Sequence, residues 1–235
     1  MKTNRPTTTL FMLSSLDGKI STGDSDEMDV DKDFPKIRGV CEGLQQYYDI
    51  EKTTDNFSLN SGRVMAKIGL NERKTTPTKI GCSFVIIDSK PHLTDKGVEY
   101  LSKWVKKLYL VTTNKNHPAF KLQKEYDNIE ILFYNKKIDL KNLLETMKKK
   151  FGCRRITIQS GGTLNVEWLR KGLIDRISLV IAPCLIGGIN TQSLIGGESL
   201  HIVQELSKIK ALQLQKCTVL KHSYLHLLYK VINEK

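Results

Sequence analysis

Residues 158–188 read IQSGGTLNVEWLRKGLIDRISLVIAPCLIGG. A β-branched run ending at Gln159 leads through Ser160, Gly161 and Gly162 into a stretch that spaces Leu164, Trp168 and Leu169 for one side of a helix. Gly172 stands where a left-handed residue stops that helix, and DRISLVIAP follows as a second strand. Strand, helix and strand joined by short links make a parallel crossover. A glycine turn at such a helix start aims free backbone N–H groups and the positive end of the helix dipole at one point, where an anion is held. Two glycines also ease a plain tight turn. The stretch lacks the lysine of a P-loop and the G-x-G-x-x-G spacing of a dinucleotide turn, so on its own it leaves both readings open.

The same alternation runs outward from this stretch. Apolar strand-like runs lie at 7–15, 56–61, 82–89, 107–113, 129–134 and 154–160, and amphipathic helix-like runs at 41–52, 96–106, 117–126 and 140–151. Strands alternating with helices predict an α/β fold with a mostly parallel sheet covered on both faces. The tail departs from this rhythm: 212–221 and 224–232 are consecutive alternating runs around His222-Ser223, which predicts a C-terminal antiparallel hairpin. No stretch has the length and composition of a linker, so residues 1–235 are expected to form a single domain. The acidic, apolar-poor segment 21–36 reads as a loop, without the glycine and terminal glutamate of a calcium loop.

With 40% hydrophobic and 26% charged residues, composition excludes a disordered or fibrous chain. The net charge of +12 raises the question of an acidic partner, whether nucleic acid, anionic lipid or phosphorylated metabolites. The cations fall in short clusters beside apolar runs, at Lys106-Lys107, Lys136-Lys137, Lys148 to Lys150 and Arg154-Arg155, and read as solvated element ends. Trp104 and Trp168 are spaced for cores, so stacking on nucleic-acid bases has little support. Five cysteines, widely spaced and without a C-x-x-C pair, read as small core residues in a reducing compartment. The apolar run at 10–13 is too short for a signal segment or a membrane span, which makes a cytoplasmic protein the expectation.

Two further turns carry chemistry. SSLDGKIS, residues 14–21, follows the first strand and places Asp17-Gly18 where ligands meet strand ends. NSGRV, residues 60–64, sets Gly62 and the phosphate-matched Arg63 between a strand and a helix. His222 and His226 have metal-ligand spacing but sit in or beside a strand, with no third ligand near, and read as structural.

Taken in order, SSLDGKIS, NSGRV, IQSGGTLN and GLIDRISLVIAPCLIGG resemble the reductase domain of riboflavin biosynthesis, the C-terminal domain of the bifunctional pyrimidine deaminase-reductase. That domain belongs to the dihydrofolate reductase-like superfamily, and the resemblance runs from about Thr8 to the C-terminus. It implies an αβα sandwich around a mixed sheet, a homodimer, NADPH as cofactor and a ribosylamino-pyrimidine phosphate as small-molecule substrate. Carried over by position, Ser14, Gly62, Arg63, Ser160, Gly161, Gly162, Thr163 and Leu164 would bind the cofactor. Ser25, Gln159, Gly187 and Gly188 would line the substrate side, and Asp17 would orient or polarise the reacting centre. Three positions depart from the family. Lys67 replaces an aspartate and the Asp-Asp-Pro and Thr-x-Arg runs that grip the substrate phosphate are absent, Gln159 replaces a glutamate, and Glu27 replaces a tryptophan. Arg73 is the nearest substitute for the phosphate contact. A different heterocyclic or carbonyl substrate is therefore an open alternative, as is a basic nucleic-acid-binding module.

Overall fold

A computed structural model describes residues 4–233. In chain order the elements are β1 (Thr7–Ser15), α1 (Val30–Asp33), α2 (Cys41–Glu51), β2 (Phe57–Ser61), α3 (Gly62–Lys67), β3 (Ser83–Ile87), α4 (Asp95–Trp104), β4 (Leu108–Thr112) and α5 (Ala119–Leu122). They continue with β5 (Ile129–Phe133), α6 (Leu140–Phe151), β6 (Arg155–Ile158), α7 (Gly162–Arg170), β7 (Arg176–Ala182), β8 (Ala211–Val219) and β9 (Leu225–Ile232). They fall into two compact units, one built on residues 55–159 and one on residues 7–54 with the chain from Ser160 onward.

In the first unit all strands are parallel, in the order β5-β4-β3-β2-β6. Every residue of β4, LYLVT, is buried, as expected of a strand covered on both faces. The core gathers Phe84 and Ile86 from β3, Leu108 and Leu110 from β4, and Val98 and Leu101 from α4. Helix α6 shows why such segments fold locally. The Asp139 carboxylate caps it by accepting from the N–H groups of Lys141 and Asn142, Leu140, Leu143, Leu144 and Met147 form its buried stripe, and Lys148 to Lys150 fill its last turn. The helix expected at 117–126 is shorter: only Ala119–Leu122 is regular, anchored by buried Ala119 and Leu122, and the polar residues beyond have no core to hold them.

In the second unit β1 pairs parallel with β7, and β7, β9 and β8 continue antiparallel, so the hairpin forms where the alternating tail placed it. The core packs Phe11 and Leu13 of β1 with Val180, Ala182, Leu44 and Tyr47, and the rings of Phe11 and Tyr47 stack at 5.1 Å. Segment 21–36 departs from the expected loop. Asp29 caps α1 by accepting from the Asp31 N–H, and Val30 and Phe34, four residues apart, both bury, with Phe34 in a 3₁₀ turn that continues the helix. Two apolar side chains at helical spacing were enough to order an otherwise acidic stretch. The cysteines are free, and while Cys153 is buried as expected, Cys217 lies exposed on β8.

Candidate functional site

The second unit brings together three of the singled-out stretches. Strand β1 ends in Ser14 and Ser15, both buried, and Gly18 turns the chain with φ 76°. The Asp17 carboxylate accepts from the Ser15 hydroxyl, from the Ile186 N–H at 3.2 Å and from the Gly187 N–H at 2.6 Å. The Ser15 hydroxyl bond, reinforced by the Gly187 and Ile186 N–H groups, holds Asp17 below the usual carboxylate range. Asp17 is thus an anion that pins the turn after β7.

Lys19 works on the same segment from the other side. Its Nζ donates to the Gly188 carbonyl at 2.8 Å and the Thr191 carbonyl at 3.1 Å, and backbone bonds Ile20 N–H to Gln192 and Leu194 N–H to Gly18 close a short ladder. Gly187 and Gly188 both take positive φ, 73° and 81°, and a Cβ on Gly188 would collide with the Thr191 hydroxyl. Conformation favours glycine at both positions, and at Gly188 space requires it as well.

The glycine turn of residues 160–164 has a built lining. The Ser160 hydroxyl, fully buried, donates to Asn165 Oδ1 at 2.6 Å, and Asn165 Nδ2 donates to the Leu194 carbonyl at 2.9 Å. Gly162 lies against the backbone of 193–196: its carbonyl accepts from the Gly196 N–H at 3.0 Å, and a Cβ would strike the Ser193 carbonyl oxygen. Gly162 is small for packing. Gly161 differs, since it caps α7 with an extended backbone, φ −70° and ψ 158°, and no side chain closes the first turn. An uncapped helix start leaves N–H donors for an anion. The packed side of α7 is Asn165, Val166 and Trp168, and the expected partners Leu164 and Leu169 are only half-buried. Thr163 and Ser25 are exposed. His226 shares a hydrogen bond with Ser178 at 2.8 Å.

In the first unit, Gly62 opens α3 against Asp88, whose carboxylate would clash with a Cβ at that position. Asp88 is buried and accepts from the Leu93 N–H, the His92 N–H and ring, and His117 Nε2 at 3.1 Å. Because His117 Nδ1 accepts the Ala119 N–H, Nε2 carries the proton that Asp88 receives. Burial alone would raise the Asp88 carboxyl, but the bonds from His117, Leu93 and His92 outweigh it and leave the carboxyl below its usual range. Gln159 Oε1 accepts from Ser58, which in turn accepts from Asn60 Nδ2. Arg73 stacks over the Tyr100 ring at 5.3 Å and donates to its hydroxyl.

Sequence reasoning missed Lys19, Asn165, Asp88 and the 193–197 segment. One signal was present: LIGG occurs twice, at 185–188 and 194–197, and the second copy packs on α7, where a Cβ on Gly197 would press into Val166.

A phosphate-bearing cofactor needs an anion cradle and unpartnered polar groups, and the second unit offers both. Besides the uncapped α7, Ser14 Oγ is buried without a hydrogen-bond partner among the described residues. These features define an α/β chain whose strand and helix ends suit a phosphate-bearing ligand. The chain belongs to the RibD C-terminal domain family, whose model matches residues 6–225. It is similar to the 2,5-diamino-6-ribosylamino-4(3H)-pyrimidinone 5′-phosphate reductases of Methanothermobacter thermautotrophicus, 25% identical over 88% of this chain and 91% of that one, and of Archaeoglobus fulgidus, 26% identical over 88% and 93%. Acinetobacter baumannii RibD shares the dihydrofolate reductase-like fold with a TM-score of 0.70 at 19% identity. The match covers 98% of this chain and 59% of that longer one. Among the described residues no helix is long and apolar enough to cross a membrane.

Proposed function

We propose that the chain is an NADPH-dependent reductase acting on a small ribosylamino-pyrimidine phosphate, the class of substrate for which its relatives are named. The observation that carries this reading is the uncapped start of α7 at Gly161, in a chain of the RibD C-terminal domain family. NADPH supplies the hydride, and the chain supplies orientation and electrostatics. Ser160, Gly161, Gly162, Thr163 and Leu164 form the phosphate turn, with Ser160 and Asn165 fixing its shape. Gly62 and Arg63 are assigned to the adenosine side.

The Ser14 hydroxyl, unpartnered and buried, is the group on β1 that needs a ligand atom. Asp17, held ionised at neutral pH, acts as a fixed negative charge that orients the reacting centre and does not donate a proton. Gly187 and Gly188 shape the pocket edge that Asp17 and Lys19 brace, and Ser25 and Gln159 belong to the substrate side. The exposed apolar side chains of β8 support a homodimer.

A second reading, reduction of another heterocyclic or carbonyl substrate, is favoured by Lys67 where the family has an aspartate and by Arg73, which is engaged with Tyr100. A thermal-shift titration separates cofactor binding from substrate choice. NADPH at about 100 times its Kd stabilises by about 2.7 kcal/mol, while NADH at the same concentration gives a smaller shift. Gly161→Val, compatible with the extended backbone there, keeps the unliganded Tm and loses the NADPH shift. An unchanged shift in that variant removes the cofactor from the α7 turn.

A further inference from the structure

Eleven of the chain's twelve net positive charges lie in residues 55–159, which hold 21 Lys and Arg against 10 Asp and Glu. Read along the chain, the cation doublets look like separate element ends. The parallel sheet of this unit gathers three of them, all but Lys136-Lys137, which follow the end of β5. Its strands all begin at one edge, and helices that precede a strand end there too. Lys106 and Lys107 lead into β4, Lys149 and Lys150 end α6, and Arg154 and Arg155 lead into β6.

Contacts tie the cluster together. Lys107 and Lys150 approach the two oxygens of Glu130 at 3.7 and 3.8 Å, and the Phe151 ring packs on Tyr109 at 4.6 Å, which seats the end of α6 over β4. Arg155 pairs with the buried Asp55 at 2.7 Å. Lys106, Lys149 and Arg154 are exposed and make no ion pair among the described residues. From β4 to β6 the edge crosses three strand spacings, roughly 14 Å. Glu125 and Asp127, exposed in the segment leading into β5, and the half-buried Glu130 between Lys107 and Lys150 are carboxylates near that edge, fewer than its six cations.

Ligands of parallel α/β sheets bind at the carboxyl ends of the strands, and this row lies at the opposite edge of its own sheet. It therefore does not belong to the phosphate sites assigned above. Its surroundings also select the partner. All large exposed apolar side chains among the described residues lie outside 55–159, so the edge offers charge without the apolar anchors of a protein interface or an inserted membrane face. A row of six cations, three of them without an ion pair among the described residues and none beside an exposed apolar anchor, fits a hydrated phosphodiester backbone.

We propose that the strand-start edge of the 55–159 unit is a second binding site, for the phosphodiester backbone of nucleic acid, held through its phosphates without base readout. The test is fluorescence anisotropy of the full chain with a labelled oligouridylate of about 20 nucleotides. With about six phosphates neutralised, log K falls against log salt with a slope near −4, a loss on the order of 10²–10³-fold between about 50 and 200 mM. Lys149→Glu with Arg154→Glu weakens binding at least about tenfold and leaves Tm and NADPH oxidation unchanged. Lys210→Glu with Lys216→Glu, the same charge change on the other unit, alters binding less than about twofold, and saturating NADPH does not displace the oligonucleotide. The proposal is overturned by absence of binding at low salt, by equal losses in the two double variants, by displacement with NADPH, or by tighter binding to phosphatidylserine vesicles than to the oligonucleotide.

Discussion

Asp88 shows how one residue can be fixed by burial and still matter beyond packing. Its carboxylate receives His117, His92 and the Leu93 N–H, and Gly62 lies directly against it. Its folded carboxyl lies below the unfolded value, so the stabilisation is fully present above the unfolded carboxylate pKa of about 3.9 and is lost as pH falls through the lower folded value. Urea unfolding across pH should show wild-type stability declining below about pH 4. Asp88→Asn, which weakens hydrogen bonds to a buried charged acceptor, is expected to be less stable at neutral pH by roughly 1.5–3 kcal/mol, with that part of the acid decline absent. Equal acid slopes in both proteins would refute this. None of this was legible beforehand, because His117 reaches Asp88 only through the pairing of β3 with β4 and His92 through the local turn after β3, and no motif joins the three. The neighbouring glycines were legible as a group but not by role: Gly162 is dictated by the Ser193 carbonyl, whereas Gly161 takes the extended cap position of α7, φ −70° and ψ 158°, with no side-chain cap bond.

Among elements, those with long periodic patterns were predictable and those set by a few contacts were not. The buried strands β3 and β4, helix α6 with its Asp139 cap and the β8–β9 hairpin all follow from apolar spacing. Helix α1 does not, because its formation hangs on Val30 and Phe34 finding the core of their unit. The hairpin carries a local conflict that sequence did reveal, a polar pair where a tight turn is needed. His222 and Ser223 both take left-handed backbone, φ 57° and 61°, and the Tyr224 N–H bonds to the Lys221 carbonyl, the pattern of a type I′ turn. Non-glycine residues are disfavoured there by about 1 kcal/mol each. Gln46 supports the turn by accepting from the Lys221 N–H, and Tyr224 donates to the Val40 carbonyl at 2.7 Å. Replacing the pair by the preferred Asn-Gly should raise Tm by about 2–4 °C, measured by calorimetry. A lower Tm would mean that the native side chains contribute more than the strain they carry.

Across the molecule, charge and apolar exposure are segregated: net positive charge is concentrated in residues 55–159, exposed apolar surface elsewhere. The total of +12 was visible from composition, but the gathering of Lys106, Lys107, Lys149, Lys150, Arg154 and Arg155 on one sheet edge required the topology. The outermost strand β8 exposes Leu212 and Leu214, two residues apart on one face, and a long exposed edge strand of this kind seeks a partner. Light scattering should find a dimer, converted to monomer by Leu212→Lys with Leu214→Lys; a wild-type monomer at micromolar concentration would exclude this face as an interface. The family was legible in the order of four short motifs, whereas the bracing of the 186–197 segment by Asp17, Lys19 and Asn165 was not, since each contact joins positions far apart in sequence. The central claim is hydride transfer, and isotope transfer tests it most directly. NADPH carrying deuterium at the transferable position is incubated with the ribosylamino-pyrimidine phosphate, and the product is analysed by mass spectrometry. The account predicts a ribitylamino product with one deuterium at the reduced sugar carbon, absent with Gly161→Val. Unreduced substrate, or a reduced product without the label, would contradict it.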